Sequence, residues 1–288
     1  MILRAHAKIN VSLVVRGVRP DGYHELRTVF QSLALHDTLR FTDADEGLAM
    51  ACSAPGIPLD ERNLVWKAAQ MVWEAASRRG EPRGRVRITK RIPARGGLGG
   101  GSADAAAALV GWNRLWETRL SARRLRELAR RLGADVPFFL QAGTALGLER
   151  GDEIQPLDDA PSRWVVLVFP PFGVSTPDAF RWWDEDSRRL PAAGFRLPAE
   201  PESRAAGPVF NDLEAPVSRR HPGLSEIRRA LEDAGAMAAA MTGSGSTVFG
   251  LFATRLAARA ASERLRLTGR RSLLTRTATR LQAGLLVG

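Results

Sequence analysis

The sequence feature that most constrains this chain is a cluster of glycines that runs directly into an alanine-rich segment. The cluster reads Pro93, Ala94, Arg95, Gly96, Gly97, Leu98, Gly99, Gly100 and Gly101, and it is followed by Ser102, Ala103 and Asp104. Because glycine has no Cβ, consecutive backbone N–H groups can turn toward one anion at the positive end of a helix. The pattern predicts a phosphate-binding loop, with Ser102 and Asp104 as the cap of a helix that begins near Ser102.

Common nucleotide-binding motifs do not fit this cluster. The chain lacks G-x-x-x-x-G-K-[ST], and Gly97, Gly99 and Ser102 occupy the places where a dinucleotide fingerprint needs three glycines. A flexible linker is the alternative, but a linker has no need of helix-capping residues directly after its glycines. The cluster therefore favours a phosphate loop of another class.

Apolar periodicity divides the rest of the chain into strands and helices. A polar, proline-containing stretch at 155–163 predicts a boundary between a domain at 1–157 and a domain at 158–288. The second domain has the strand–helix–strand–strand–helix–strand order of the ferredoxin-like split pattern. We expect strands at 8–15, 29–35, 85–89, 144–148 and 164–169, and short strands at the C-terminus. We expect helices at 63–80, with Asn63 as the N-cap, from about 102, at 121–132, at 225–235 and at 254–267, and a loop at 186–208.

Charge leaves two classes of function open. Lys and Arg total 42 against 31 Asp and Glu, and the net charge of +11 is typical of proteins that bind nucleic acids or anionic membranes. Only three of the cations are lysines, and so strong a preference for arginine also fits a coding bias that has no functional meaning. A basic nucleic-acid-binding module is therefore the alternative to an enzyme.

Cysteine content and hydropathy exclude other classes. A single cysteine, Cys52, cannot form an intrachain disulfide or a thiolate metal cluster. The longest strongly apolar run, at 164–174, is much shorter than the about 20 residues that a membrane span needs. Arg4 and Lys8 interrupt the apolar N-terminus, which therefore lacks the core of a signal peptide. We expect a cytoplasmic protein without a membrane partner.

Three further segments hold side chains suited to chemistry. Lys8 and Asn10 fall on the polar face of the first strand, either as solvated residues or as groups that stabilise a transferring phosphoryl group. Asp135 follows a helix in apolar surroundings, where it is either an N-cap or a general base. Tyr23 and His24 form either a packed turn or an aromatic platform for a base or sugar.

A second glycine turn, Met241-Thr-Gly-Ser-Gly-Ser246, lies in the other half of the chain. By itself it is typical of a hairpin. Combined with the glycine cluster, it indicates two turns that can close on one ligand from opposite sides.

Taken in order, these segments resemble the GHMP kinase superfamily. The resemblance rests on Lys8-Ile-Asn10, Pro20-Asp-Gly-Tyr-His24, Pro93 to Ala106, Leu132-Gly-Ala-Asp-Val-Pro137, Phe210-Asn-Asp-Leu-Glu214 and Met241 to Ser246, and it covers nearly the whole chain. The glycine turns fit any member. The PDGYH and FNDLE segments are similar to the branch that phosphorylates the 2-hydroxyl of a cytidine-diphosphate-linked methylerythritol in the non-mevalonate isoprenoid pathway.

The resemblance implies a fold and a set of ligands. The fold would be α+β with two domains, a ribosomal-protein-like one followed by a ferredoxin-like one, and the site would lie in the cleft between them. ATP would bind with its triphosphate on residues 93–103 and its nucleoside near Asn63, Leu64 and Lys90. Mg²⁺ would be held mainly by ATP; its protein ligands stay open, with Ser102 as a candidate.

The resemblance also implies roles in the reaction. Asp135 would accept the proton of the substrate hydroxyl, and Lys8 would stabilise the developing charge. Tyr23 and Phe180 would sandwich the cytosine while His24 contacts its edge. Other substrate contacts would come from Asn10, Gly243 and Ser244.

Two positions depart from the family pattern, and one alternative enzyme remains. Arg95 stands where a small residue is usual, and His6 replaces a small residue or proline. A GHMP kinase for another alcohol, such as homoserine or a mevalonate-type acid, is the alternative. Those substrates lack a nucleobase, so Tyr23, His24 and Phe180 would then have no role. The oligomeric state is left open.

Overall fold

The computed structural model describes residues 1–94, 96–189 and 209–286. The first half contains β1 (Ile2–Val18), β2 (His24–Thr42), β3 (Leu48–Cys52), α1 (Leu64–Ala75), β4 (Gly84–Thr89), α2 (Gly100–Leu115), α3 (Ala122–Leu132), α4 (Val136–Gln141), β5 (Thr144–Leu148) and β6 (Glu153–Pro156). The second half contains β7 (Trp164–Phe169), α5 (Thr176–Arg189), β8 (Phe210–Asn211), α6 (Glu214–Arg220), α7 (Gly223–Asp233), β9 (Ala238–Met241), β10 (Val248–Phe252), α8 (Arg255–Leu267), β11 (Arg271–Arg276) and α9 (Arg280–Ala283).

The first sheet is built around the long antiparallel pair of β1 and β2. Its strand order is β3-β4-β2-β1-β8, and β5 and β6 extend it from β2. Lys8 pairs with Ser32 and Asn10 with Phe30, which places both polar residues at the middle of the sheet. Both are only 2% exposed, so the solvated strand face that alternation allowed is excluded. A polar side chain buried this deeply needs partners nearby.

The second sheet has the order β11-β7-β10-β9, and all of its described pairs are antiparallel. Helices α7 and α8 pack on this sheet through buried residues such as Leu231 and Leu265. This is the order expected of a ferredoxin-like split, and the α+β fold is confirmed. The short strand β8 crosses over to pair in parallel with β1 of the first sheet.

Local capping explains where several helices begin. Asn63 accepts the Val65 N–H at 2.9 Å, as predicted for an N-cap, and Ser121 accepts the Arg124 N–H at 3.2 Å. Such side chains satisfy backbone donors that the first turn leaves unpaired. Gly133 ends α3, as the sequence predicts.

Some sequence-based boundaries were wrong. α1 ends at Ala75 instead of continuing to Gly80, because Ser77 takes a positive φ of 54°. At the C-terminus, β11 is followed by the capped helix α9 and not by a further strand. The expected loop at 186–208 begins inside α5, and the remainder of that prediction, 190–208, lies outside the described residues. Among those that are described, no helix is long and apolar enough to cross a membrane.

Candidate active site

A cleft of about 1370 Å³ lies where the two halves of the chain meet. Its walls come from β1, β2, the glycine loop at 93–101, the start of α5 and the turn at 241–246. Every residue that the sequence singled out for the site lines this cleft, with two exceptions. Ala103 is fully buried inside α2, and Arg95 lies outside the described residues.

The glycine loop begins α2 without a capping side chain. The N-cap is Gly99, at a left-handed φ of 69°, and Ser102 and Asp104 are both inside the helix. The prediction that these two residues cap the helix was therefore wrong; a glycine takes a conformation that an L-residue adopts only at a cost. The first N–H groups of α2 are left free of side-chain caps beside the cleft, as an anion site requires.

The two glycine turns lie against each other. Thr242 donates its hydroxyl to the Gly97 carbonyl at 3.4 Å, and it accepts the Asn10 N–H at 3.0 Å. The Lys8 N–H donates to the Leu98 carbonyl at 3.1 Å. A Cβ on Gly97 would lie 2.2 Å from the Thr242 carbonyl oxygen. This contact leaves no room for a side chain, which explains the glycine at position 97 of the loop.

Replacing Gly97 with alanine tests this packing. We expect a loss in the free energy of unfolding of at least about 1–2 kcal/mol, because the positive φ of 72° alone costs about that much and the carbonyl must also move. Gly101→Ala is the matched control, since its Cβ would meet nothing within 4 Å. Urea unfolding of both variants measures the difference, and equal stability of the two would contradict the packing.

Lys8 joins Asn10 and Asp135 at the floor of the cleft. Its Nζ donates to Asn10 Oδ1 at 2.6 Å and lies 3.4 Å from Asp135 Oδ2. The Asn10 amide donates in turn to Thr28 Oγ1 at 2.7 Å. Asp135 occupies the N-cap position of α4, but its carboxylate makes no capping hydrogen bond to that helix. The Lys8 side chain is 3% exposed and that of Asp135 is 36% exposed, so the carboxylate is accessible from the cleft while the ammonium is buried.

A second buried cation, Lys90, lies under the start of α2. Its Nζ donates to Asp37 and, at 2.8 Å, to Asp104 Oδ2. Burial by itself would lower the pKa of Lys90, but the charges of Asp104 and Asp37 outweigh it and the pKa is raised. Burial raises the pKa of Asp104 to about 7 despite the attraction of Lys90. The trio of Lys90, Asp37 and Asp104 connects β2, the residue after β4 and α2, and so supports the start of α2 behind the glycine loop.

The residues predicted to bind the cytosine also line the cleft. Tyr23 is 57% exposed and has the Arg150 guanidinium 5.1 Å from its ring centroid. His24 stacks on Phe180 with centroids 4.6 Å apart and an interplanar angle of 22°. Phe180 thus contacts His24 in this structure, and the sandwich of Tyr23 and Phe180 around a base stays a prediction.

Two family models match the sequence. The one described as GHMP kinases N terminal domain matches residues 63–143, and the one described as GHMP kinases C terminal matches 195–271. The chain is also 43% identical over 278 residues to the 4-diphosphocytidyl-2-C-methyl-D-erythritol kinase of Pelotomaculum thermopropionicum, covering 95% of this chain and 96% of the relative. The chain belongs to the GHMP kinase family. As a member it is an ATP-dependent kinase of small molecules.

Other relatives agree with this assignment. This GHMP kinase is 41% identical to the 4-diphosphocytidyl-2-C-methyl-D-erythritol kinase of Moorella thermoacetica, over 96% of this chain and 99% of the relative. A solved structure of 4-(cytidine 5'-diphospho)-2C-methyl-D-erythritol kinase superposes with a TM-score of 0.79 at 37% identity, covering 96% of this chain and 99% of that one. A homoserine kinase from Cytophaga hutchinsonii, at 19% identity and a TM-score of 0.65 over 95% and 94% of the chains, shares the fold.

Sequence reasoning missed several residues of this GHMP kinase site. Asp37, Thr28 and Asp184 were not singled out, although each bonds to a predicted site residue. Asp184 had a usable signal, because it lies four residues after Phe180 and therefore on the same face of a helix. Asp37 and Thr28 had none, since their partners are distant in the sequence.

Proposed function

We propose that this kinase transfers the γ-phosphoryl group of ATP to the 2-hydroxyl of 4-diphosphocytidyl-2-C-methyl-D-erythritol, giving the 2-phosphate and ADP. The observation that carries the reaction is the pair of Lys8 and Asp135, 3.4 Å apart in the cleft beside the glycine loop. The choice of alcohol is supported by relatives of that name that match about 95% of the chain.

Asp135 is the base in this mechanism. The substrate hydroxyl gives its proton to the Asp135 carboxylate while its oxygen bonds to the γ-phosphorus, and the bond from that phosphorus to the bridging oxygen of ADP breaks. Lys8, held by Asn10, stabilises the charge on the attacking oxygen and on the transferring group. Phosphoryl transfer depends mainly on position and electrostatics, so one base and one fixed cation suffice on the protein side.

The phosphate loop fits a triphosphate. The N-terminus of α2 supplies N–H groups that no side chain caps. Gly101 lies in the first turn of α2, and the space beside its Cα is open, because a Cβ there would meet nothing within 4 Å. Asn63, Leu64 and Lys90 also line the cleft, and we place the nucleoside against them. Mg²⁺ would arrive bound to ATP, and the Ser102 hydroxyl is the protein oxygen that we place near it. Within the described residues there is no cluster of three His, Cys, Asp or Glu side chains that could hold a metal.

The cytoplasmic location of the protein stays a prediction.

Replacing Tyr23 with alanine tests the base-binding end of the cleft. We expect the KM for the cytidine-diphosphate substrate to rise about 5- to 150-fold, in line with the roughly 1–3 kcal/mol per base attributed to stacking, while kcat changes little. Initial rates at varied substrate concentration measure both constants. The matched control is Phe172→Ala, an aromatic residue that stacks on His221 and does not line the cleft. An unchanged KM in Tyr23→Ala would remove the stacking role.

The site of phosphorylation is tested on the product. The phosphorus–carbon couplings in the NMR spectrum of the product identify the carbon that bears the new phosphate. We expect the tertiary carbon at position 2. A phosphate on any other hydroxyl would contradict the proposed reaction while leaving the kinase assignment intact.

A further inference from the structure

One contact across the cleft is not used by the proposed mechanism. His24, the first residue of β2, holds its Nε2 atom 2.9 Å from Asp184 Oδ1 of α5. The pair joins the first half of the chain to the second, 160 residues apart in the sequence. Both residues line the cleft at the end where Tyr23 lies.

Three residues of α5 fix the His24 ring. Phe180 stacks on its face, Trp183 meets it edge-on with centroids 5.7 Å apart and an interplanar angle of 87°, and Asp184 binds Nε2. Their spacing of three and four residues places them on one face of the helix. Helix α5 therefore holds the His24 ring by its face, by its edge and by its Nε2 atom.

The carboxylate decides which ring nitrogen carries the proton. An ionised carboxylate only accepts hydrogen bonds, so the nitrogen that faces it must be the donor. In a neutral imidazole the other nitrogen is then an acceptor. Nδ1 of His24 has no hydrogen-bond partner in the described part of the chain, and it is the ring nitrogen left to a ligand in the cleft.

We infer that Asp184 is a specificity-determining positioning residue, which fixes the Nε2–H tautomer of His24 so that Nδ1 accepts a hydrogen bond from the exocyclic amine of a cytosine and rejects a uracil. Cytosine presents an amino donor at the position where uracil presents a carbonyl acceptor, so an acceptor on the protein separates the two. The inference rests on the proposed function, because it assumes that the substrate base lies against His24.

Kinetics with two substrates test the selectivity. The wild type, Asp184→Asn and Asp184→Glu are assayed with the cytidine-diphosphate alcohol and with its uridine analogue. An asparagine can accept or donate toward Nε2, so the tautomer is no longer imposed. We expect the ratio of kcat/KM values for cytidine over uridine to fall about 10- to 100-fold in Asp184→Asn, mainly through KM, and to be largely kept in Asp184→Glu.

Glu185→Gln is the matched control. Glu185 is the neighbouring acid on α5, its side chain is 41% exposed and it pairs with Arg220 and not with His24. We expect its selectivity to equal that of the wild type. A ratio that stays unchanged in Asp184→Asn, or falls equally in Glu185→Gln, would overturn the inference.

Nitrogen-15 NMR of the histidine rings tests the tautomer without any turnover. The chain has four histidines, so the His24 signals can be assigned by comparison with a His24→Gln variant. We expect a protonated Nε2 and an unprotonated Nδ1 in the wild type, and a mixture in Asp184→Asn. An Nδ1–H ring or an imidazolium at the assay pH would overturn the inference. If the wild type phosphorylates neither alcohol, the proposed function fails, and the tautomer of the wild type still decides the role of Asp184.

Discussion

Replacing Asp135 with asparagine is expected to lower kcat by about 10²- to 10⁴-fold, the usual cost of losing a general base, if Asp135 has the proposed role. Asparagine keeps the size of the side chain but cannot take the proton of the substrate hydroxyl. Asp135 is 36% exposed and its carboxylate makes no capping bond in α4, so we expect the variant to fold, at some cost from the lost ion pair with the buried Lys8. KM for ATP is expected to stay within a few-fold, because the glycine loop and α2 are unchanged.

The measurement is a coupled assay of ADP release, with circular dichroism to show that the variant is folded. Asp233→Asn is the matched control, an exposed aspartate at the end of α7, remote from the cleft. Near-normal kcat in Asp135→Asn would contradict the role of Asp135 as the base.

Replacing Lys90 with methionine is expected to lower the free energy of unfolding by about 3–5 kcal/mol, the range measured when one partner of a buried ion pair is removed. Lys90 is 8% exposed at its side chain, and Asp37 and Asp104 are 0% and 6% exposed. Methionine would leave two carboxylates buried without a cation. Because the trio supports the start of α2, the KM for ATP should rise as well.

Two comparisons separate this effect from a general loss of packing. Lys67→Met changes an exposed lysine on α1 and should alter stability by less than about 0.5 kcal/mol. Adding Asp37→Asn and Asp104→Asn to Lys90→Met should recover at least half of the loss, because the buried charges are then gone. Urea unfolding measures all of these, and a loss below about 1 kcal/mol in Lys90→Met would contradict the account of the trio.

The sequence was sufficient where the signal is local. Asn63 was recognised as a helix cap, and the helix that begins at Ser121 was predicted, because capping depends on residues two or three positions apart. The strand, glycine loop and helix around residues 85–115 were predicted because each has its own composition and periodicity. The residues that line the cleft followed from the same segments, although their roles remain predictions.

The sequence was insufficient where contacts are long-range. Asp37 bonds to Lys90, 53 residues away, and Asn10 to Thr242, 232 residues away, and no periodicity encodes such pairs. Ser102 looked like a cap because it follows glycines, but packing against Phe139 and Lys8 selects Gly99 as the residue that begins the helix. Tertiary contact, and not local preference, decided that position.

The net charge of +11 is weaker evidence for nucleic-acid or membrane binding than the composition alone suggested. Several arginines pair with acids of the same chain, as Arg19 does with Glu25 and Arg220 with Asp186. Membership of a kinase family decides between the enzyme and the nucleic-acid-binding module. The cations beside the glycine loop, Lys8 and Lys90, would suit ATP and the diphosphate of the proposed substrate.

ADP release from MgATP, measured in parallel with 4-diphosphocytidyl-2-C-methyl-D-erythritol, homoserine, mevalonate and no alcohol, tests the central claim most directly. We expect ADP to form at a substantial rate with the cytidine-diphosphate alcohol and only at background with the other three. Background rates with that alcohol, together with turnover of homoserine or mevalonate, would contradict it.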